Sequence, residues 1–134
     1  MAEAEVVHHG LENIIADESA ISWLDGQRGV LVFRGIDIRA LAEHSTFEET
    51  AYLLWFGRLP TQTELDQVSR QMAQERGVDP QVFTALKTAP KNAVPMHVLM
   101  AALGLLATYD PEASDNSPAA EVRKALRVTA QMAT

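Results

Sequence analysis

The segment from Met96 to Thr108 limits the fold of this chain more than any other. Within it, Val98 to Ala107 is apolar throughout, interrupted only by Gly104. Crossing a bilayer as a helix needs roughly 20 such residues. The run is shorter, so it predicts a buried helix and no membrane span. A helix without a polar face needs cover on every side. The chain has 134 residues and 47% hydrophobic content. That suffices for one compact domain but leaves little to wrap this helix completely, so a partner subunit is expected against it. Gly104 and the alanines at 101, 102 and 107 would let a second helix approach closely.

The rest of the chain changes period once. Ile21-Ser22-Trp23-Leu24 and Val30-Leu31-Val32-Phe33 flank Asp25-Gly26-Gln27-Arg28-Gly29. That pattern predicts a β-hairpin, with Gly26 and Gly29 free to take positive φ. A lone hairpin is marginal in water, so it should pack on the helices that follow. Beyond Gly35 the spacing is helical. Asp37 is placed to cap a short helix with Ile38, Leu41 and Ala42 on one face. Ser45-Thr46-Phe47-Glu48 reads as a capping box. Its helix carries Phe47, Ala51, Leu54 and Trp55 and stops at Gly57, ahead of Leu59-Pro60. Thr61-Gln62-Thr63-Glu64 is a second box, opening a helix with Leu65, Val68 and Met72 inward that ends near Gly77. Asp79-Pro80 starts another, with Val82, Phe83 and Leu86 as its apolar face. Ser117-Pro118 starts the last, striped by Val122, Ala125, Leu126, Thr129 and Ala133. The stripe meets no cap before Thr134, and a cut inside an element is expected there. Residues 1–9 are expected to be a flexible lead-in, and 10–134 one mainly α domain.

Composition narrows the function classes. Without cysteine there is no disulfide, thiolate metal site or cysteine nucleophile. A net charge of −7 disfavours nucleic acid as a partner. The opening Met1-Ala2-Glu3-Ala4-Glu5 is acidic where a secretory signal is basic. A cytoplasmic protein is expected.

No catalytic constellation emerges from the residues. His8 and His9 are neighbours on a tail and define no coordination geometry. Glu48 and Glu49 point about 100° apart on a helix. His97 reads as a core or interface histidine. For Gly26-Gln27-Arg28-Gly29 a turn is favoured over an anion cradle, because the Gly-Lys-Ser/Thr of a phosphate loop is missing. Ser45, Ser69 and Ser117 lack a nucleophile-elbow setting. Tyr52, Trp55 and Phe56 read as core. No catalytic, cofactor-binding or metal-binding residue is assigned.

The order of the segments is more specific than any one of them. The stretch from Ile21-Ser22-Trp23-Leu24-Asp25-Gly26 through Arg34-Gly35-Ile36-Asp37-Ile38, preceded by Gly10-Leu11-Glu12, resembles the opening of bacterial citrate synthases. Leu41 to Leu54, Gly57-Arg58-Leu59-Pro60-Thr61 and Pro95-Met96 with the apolar helix after it continue the resemblance in family order. There are departures. Val94 stands where the family usually has His, Phe33 where Tyr is common, and Met100 where many bacterial members have Arg.

The resemblance implies a citrate-synthase-like multihelical large domain, of which this is the N-terminal portion, with a short leading β-hairpin. It implies an enzyme that condenses acetyl-CoA with oxaloacetate to citrate and CoA as a homodimer, without a bound cofactor. An aspartate base and two histidines carry the chemistry in a site closed to water. Those residues lie in the family's later sequence and match none here, so the chain alone is expected to be inactive. The subunit contact is expected at Met96, Leu99, Met100, Leu103, Gly104 and Leu106. Two alternatives stand beside this reading: a 2-methylcitrate synthase using propionyl-CoA, and a non-catalytic helical dimerisation or regulatory module derived from the family.

Overall fold

The computed structural model describes residues 18–134. The lead-in, His8, His9 and Gly10-Leu11-Glu12 lie outside the described residues. Contacts group the chain into two units, one ending at Thr46 and one running from Phe47 to Thr134.

The first unit is a small antiparallel sheet packed on one helix. Strands β1 (Ser22–Asp25) and β2 (Val30–Phe33) form the expected hairpin, with Asp25 opposite Val30. The Asp25 carboxylate accepts from the Gln27 and Arg28 backbone N–H groups at 3.1 and 3.0 Å. Those donors are therefore turned onto their own aspartate, which supports the turn reading of this loop. Of the two loop glycines, only Gly29 takes positive φ, at 63°. A third strand, β3 (Ile36–Asp37), pairs with β2 through a two-residue turn at Arg34-Gly35. Both turn residues have positive φ, 47° and 87°. That is the primed geometry matching the twist of paired strands. Helix α1 (Ile38–His44) follows, capped by Asp37, and packs on β2 and β3. The hairpin thus does pack on a following helix. Among the described residues β1 is an edge strand, with Trp23 and Leu24 exposed.

The second unit is all helix: α2 (Phe47–Phe56), α3 (Gln62–Gln74), α4 (Pro80–Leu86), α5 (Pro95–Tyr109) and α6 (Pro118–Gln131). Helix α2 packs on α3, α3 on α6, and α4 on α5. Local capping sets most of these bounds. Gly57, at φ 77°, closes α2 through its N–H to the Leu53 carbonyl. Thr61 and Glu64 form the expected capping box of α3. Asp79 caps α4, and Ser117 caps α6. Ser45 serves the preceding helix. It ends α1, its hydroxyl donating to the Leu41 carbonyl at 2.8 Å. Helix α6 stops at Gln131, short of where its stripe pointed, and its end is bonded to the segment that follows α3. Gln131 Nε2 donates to the Gly77 carbonyl and Thr134 Oγ1 to that of Arg76.

The core is made by few side chains. Leu53, Val82, Ala120 and Ala130 are the most completely buried, with Leu53 at 1% exposure. Ala51, Tyr52 and Leu53 turn inward on α2, whereas Phe47, placed on that face by spacing, is exposed. On α6 the buried positions are Ala120 and Ala130, and Val122 is exposed. On α6 the inward face is rotated from the predicted stripe, because small residues let the neighbouring backbone close where a larger side chain would not fit; on α2 Ala51 keeps its predicted place and the face centres on Leu53.

Candidate subunit-contact face

Helix α5 begins at Pro95, whose missing N–H costs nothing in a first turn. No side chain caps it at Val94. Fifteen residues follow without an Asp, Glu, Lys or Arg. Yet Ala102 is its only buried residue. The structure divides the six expected contact residues into two sets. Leu99, Leu103 and Leu106 are half-buried and line an apolar groove with Val82, Phe83 and Leu86 of α4. Met96, Met100 and Gly104 are exposed, the two methionines at 62% and 66%. Four-residue spacing puts these three on one stripe. Beyond the helix's own backbone and its two chain neighbours, nothing lies within 4 Å of where a Cβ would stand at Gly104. An apolar stripe that ends on an open glycine is a surface onto which another helix can settle. His97 is exposed beside that stripe, at the first turn, so it is not the core histidine allowed for above.

The far end of α5 is held by charge. Arg127 of α6 reaches three carboxylates from different segments. Its Nε donates to Glu75 at the end of α3 at 3.1 Å, Nη1 to Asp110 at the end of α5 at 2.6 Å, and Nη2 to Glu112 at 2.8 Å. Arg123 pairs with the other Glu112 oxygen. These bonds hold the Glu112 carboxyl down to about 2, with Arg123 the larger cause and Arg127 the next. They raise the Arg127 guanidinium, Glu112 first among the causes, against the cost of its desolvation. Sequence reading missed this cluster. The partners lie 15, 17 and 52 residues from Arg127, and no local pattern joins them.

A small-molecule site calls for a pocket of roughly 300–1,000 Å³ with a few convergent polar groups. The cleft of about 350 Å³ between Asp79, Tyr109 and Arg127 has the size. All three edges of its one arginine, however, are already bonded to carboxylates. A groove of about 480 Å³ between α3 and α6 is lined by Phe47, Met72, Ala73 and Ala130, with Arg76 at its rim. Neither gathers an acid, a base and an oxyanion donor. No group of three or more His, Asp or Glu able to hold a metal occurs among the described residues. No helix among them is long and apolar enough to cross a membrane.

Comparison with known proteins gives one consistent result. The family model described as "Citrate synthase, C-terminal domain" matches residues 10–134. The citrate synthase of Haloferax volcanii is 38% identical over 128 residues, covering 92% of this chain and 34% of that protein. The 2-methylcitrate synthase of Mycobacterium tuberculosis is 36% identical, covering 96% of this chain and 32% of that protein. The crystal structure of citrate synthase from Pyrobaculum aerophilum superposes with a TM-score of 0.77 at 34% identity, over 93% of this chain and 32% of that one. The chain thus spans about a third of the length of the relatives it matches.

Proposed function

The chain belongs to the citrate synthase family, and from that premise we propose that it supplies part of the large helical domain and of the subunit contact of an enzyme that condenses an acyl-CoA with oxaloacetate. The single observation that carries the architectural half is the exposure of Met100, 66%, in the middle of a helix with no charged residue. Placement at the N-terminal portion of the large domain rests on the order of the resembling segments from Gly10 onward. The substrates of the whole enzyme are proposed to be acetyl-CoA and oxaloacetate, giving citrate and CoA. The mycobacterial relative supports a second choice, propionyl-CoA and 2-methylcitrate.

The chemistry of such a condensation needs a base beside the thioester and donors for the enolate oxygen. No described residue is assigned to either role, so the 134-residue chain is proposed to be silent on its own. Thiol release from acetyl-CoA or propionyl-CoA with oxaloacetate tests this. The expected rate equals the enzyme-free rate with either thioester. Turnover that scales with the concentration of the purified chain would overturn the proposal.

A further inference from the structure

We propose that Arg127 is a positioning residue for the α5 face: it pins the end of α5 to α3 and α6, and so sets where the Met96–Met100–Gly104 stripe lies for a second copy of the chain. The proposal rests on the reading of that stripe as a contact face.

Two kinds of contact hold α5. Along its middle, Leu99, Leu103 and Leu106 share an apolar groove with α4. Apolar contacts are non-directional, so they resist separation better than sliding or rotation about the helix axis. At its start, Val94 offers no side-chain cap. The directional contacts lie at the other end. There Asp110, the residue that ends α5, accepts from Arg127 Nη1 at 2.6 Å and from the Glu112 backbone N–H at 2.8 Å through the same Oδ1. The Asp110 carbonyl also accepts from Ala113 N–H at 3.1 Å. The remaining guanidinium edges go to Glu75 and Glu112. Side-chain exposure is 17% for Arg127 and 10% for Asp110, so solvent screens this pair far less than a surface pair. One planar fork therefore fixes three segments at once, in an orientation that an ammonium on a flexible stem does not reproduce.

The test uses the purified chain, comparing wild type with Arg127→Lys and Arg127→Met. Three quantities are measured: amide hydrogen exchange over residues 104–113, the self-association constant by sedimentation equilibrium, and unfolding by urea. Losing charge-assisted bonds at one residue is expected to speed exchange in that segment, and to weaken association, by about tenfold or more in Arg127→Met. Helical circular dichroism is expected to persist, and Arg127→Lys to fall between. A purely structural role would weaken association only in proportion to the folded fraction lost, and that result overturns the proposal. So does unchanged exchange over 104–113 in a chain that dimerises. A wild-type chain that stays monomeric at every concentration, while Arg127→Met still loosens 104–113, overturns the contact-face reading and with it the proposed role toward a second copy. Should Arg127→Met not fold, Asp110→Asn keeps the bond to Glu112 N–H and weakens only the ion pair, and the same readings apply.

Discussion

Arg58 and Glu64 face each other across the turn between α2 and α3 as a two-bond fork. Arg58 Nη1 donates to Glu64 Oε2 at 2.9 Å, and Nη2 donates to Oε1. The same Oε2 accepts from the Thr61 backbone N–H at 2.8 Å and from its hydroxyl at 2.9 Å. Arg58 Nη2 also donates to the Tyr52 hydroxyl at 3.3 Å, with the guanidinium 5.5 Å from the centre of that ring. One carboxylate thus closes the capping box of α3 and ties it to α2. Arg58 first, and Thr61 next, hold its carboxyl well below the usual carboxylate range.

Thr61 is the member of this arrangement whose removal isolates the cap. Thr61→Ala should destabilise the chain by about 1 kcal/mol, the usual cost of an N-cap. Thr61→Ser should stay close to wild type, since it keeps the oxygen. Urea midpoints with an unchanged slope check this. Equal midpoints for wild type and Thr61→Ala would show that the cap carries no stability here.

Two glycines give a paired prediction about backbone. Gly57 sits at φ 77°, and nothing lies within 4 Å of an added side chain there. Gly26 has the same open space without a positive φ. Gly57→Ala should therefore cost about 1 kcal/mol through conformation alone, while Gly26→Ala is tolerated. Thermal unfolding of the two variants side by side decides it. Equal melting temperatures would contradict the assigned turn geometry.

The Glu112 pairing makes an acid prediction with a definite sign. Its carboxyl falls from the ordinary 4.5 to about 2 in the folded chain. The unfolded chain therefore takes up the proton first, and acid favours unfolding. The contribution of Glu112 is fully present above about 4.5 and is lost as pH falls through about 2. Glu112→Gln removes it. The gap in urea midpoint between wild type and Glu112→Gln should be widest near neutrality and close across that window. Other depressed carboxyls, Glu64 among them, titrate in both proteins and cancel in the difference. A gap independent of pH would contradict the pairing.

Much of this fold is written locally, and the remainder is not. Asp37, Thr61, Asp79 and Ser117 announce their helices because a cap acts within one turn of its own residue. Strand β3 is two residues long and follows an Arg-Gly turn in place of the usual Asn-Gly signal. Nothing in its sequence sets it apart from the start of α1. On α6 the small, weakly hydrophobic Ala120 and Ala130 take the tightest positions and spacing does not single them out, whereas on α2 Ala51 is buried as expected and it is Tyr52 and Leu53 that turn inward in place of Phe47. For the contact face, the apolar run was visible and its division was not. Sequence gives six equivalent apolar residues, whereas packing against α4 takes Leu99, Leu103 and Leu106 and leaves Met96, Met100 and Gly104 outside. The Arg127 cluster depends wholly on tertiary structure, with one partner 52 residues away.

That division selects the decisive residue. A charge at Leu103 would disturb the groove inside one chain as well as any contact outside it. Met100 touches only the second question, since it is exposed. An aspartate there would be desolvated without a partner if another helix packs on the stripe, and harmless if none does. Sedimentation equilibrium of the wild-type chain and Met100→Asp, with circular dichroism to show equal helicity, is the direct measurement. The predicted result is a dimeric wild type and a monomeric, equally helical Met100→Asp. A wild type that is monomeric throughout, or a Met100→Asp that dimerises as tightly as wild type, would contradict the assignment of α5 as the subunit contact.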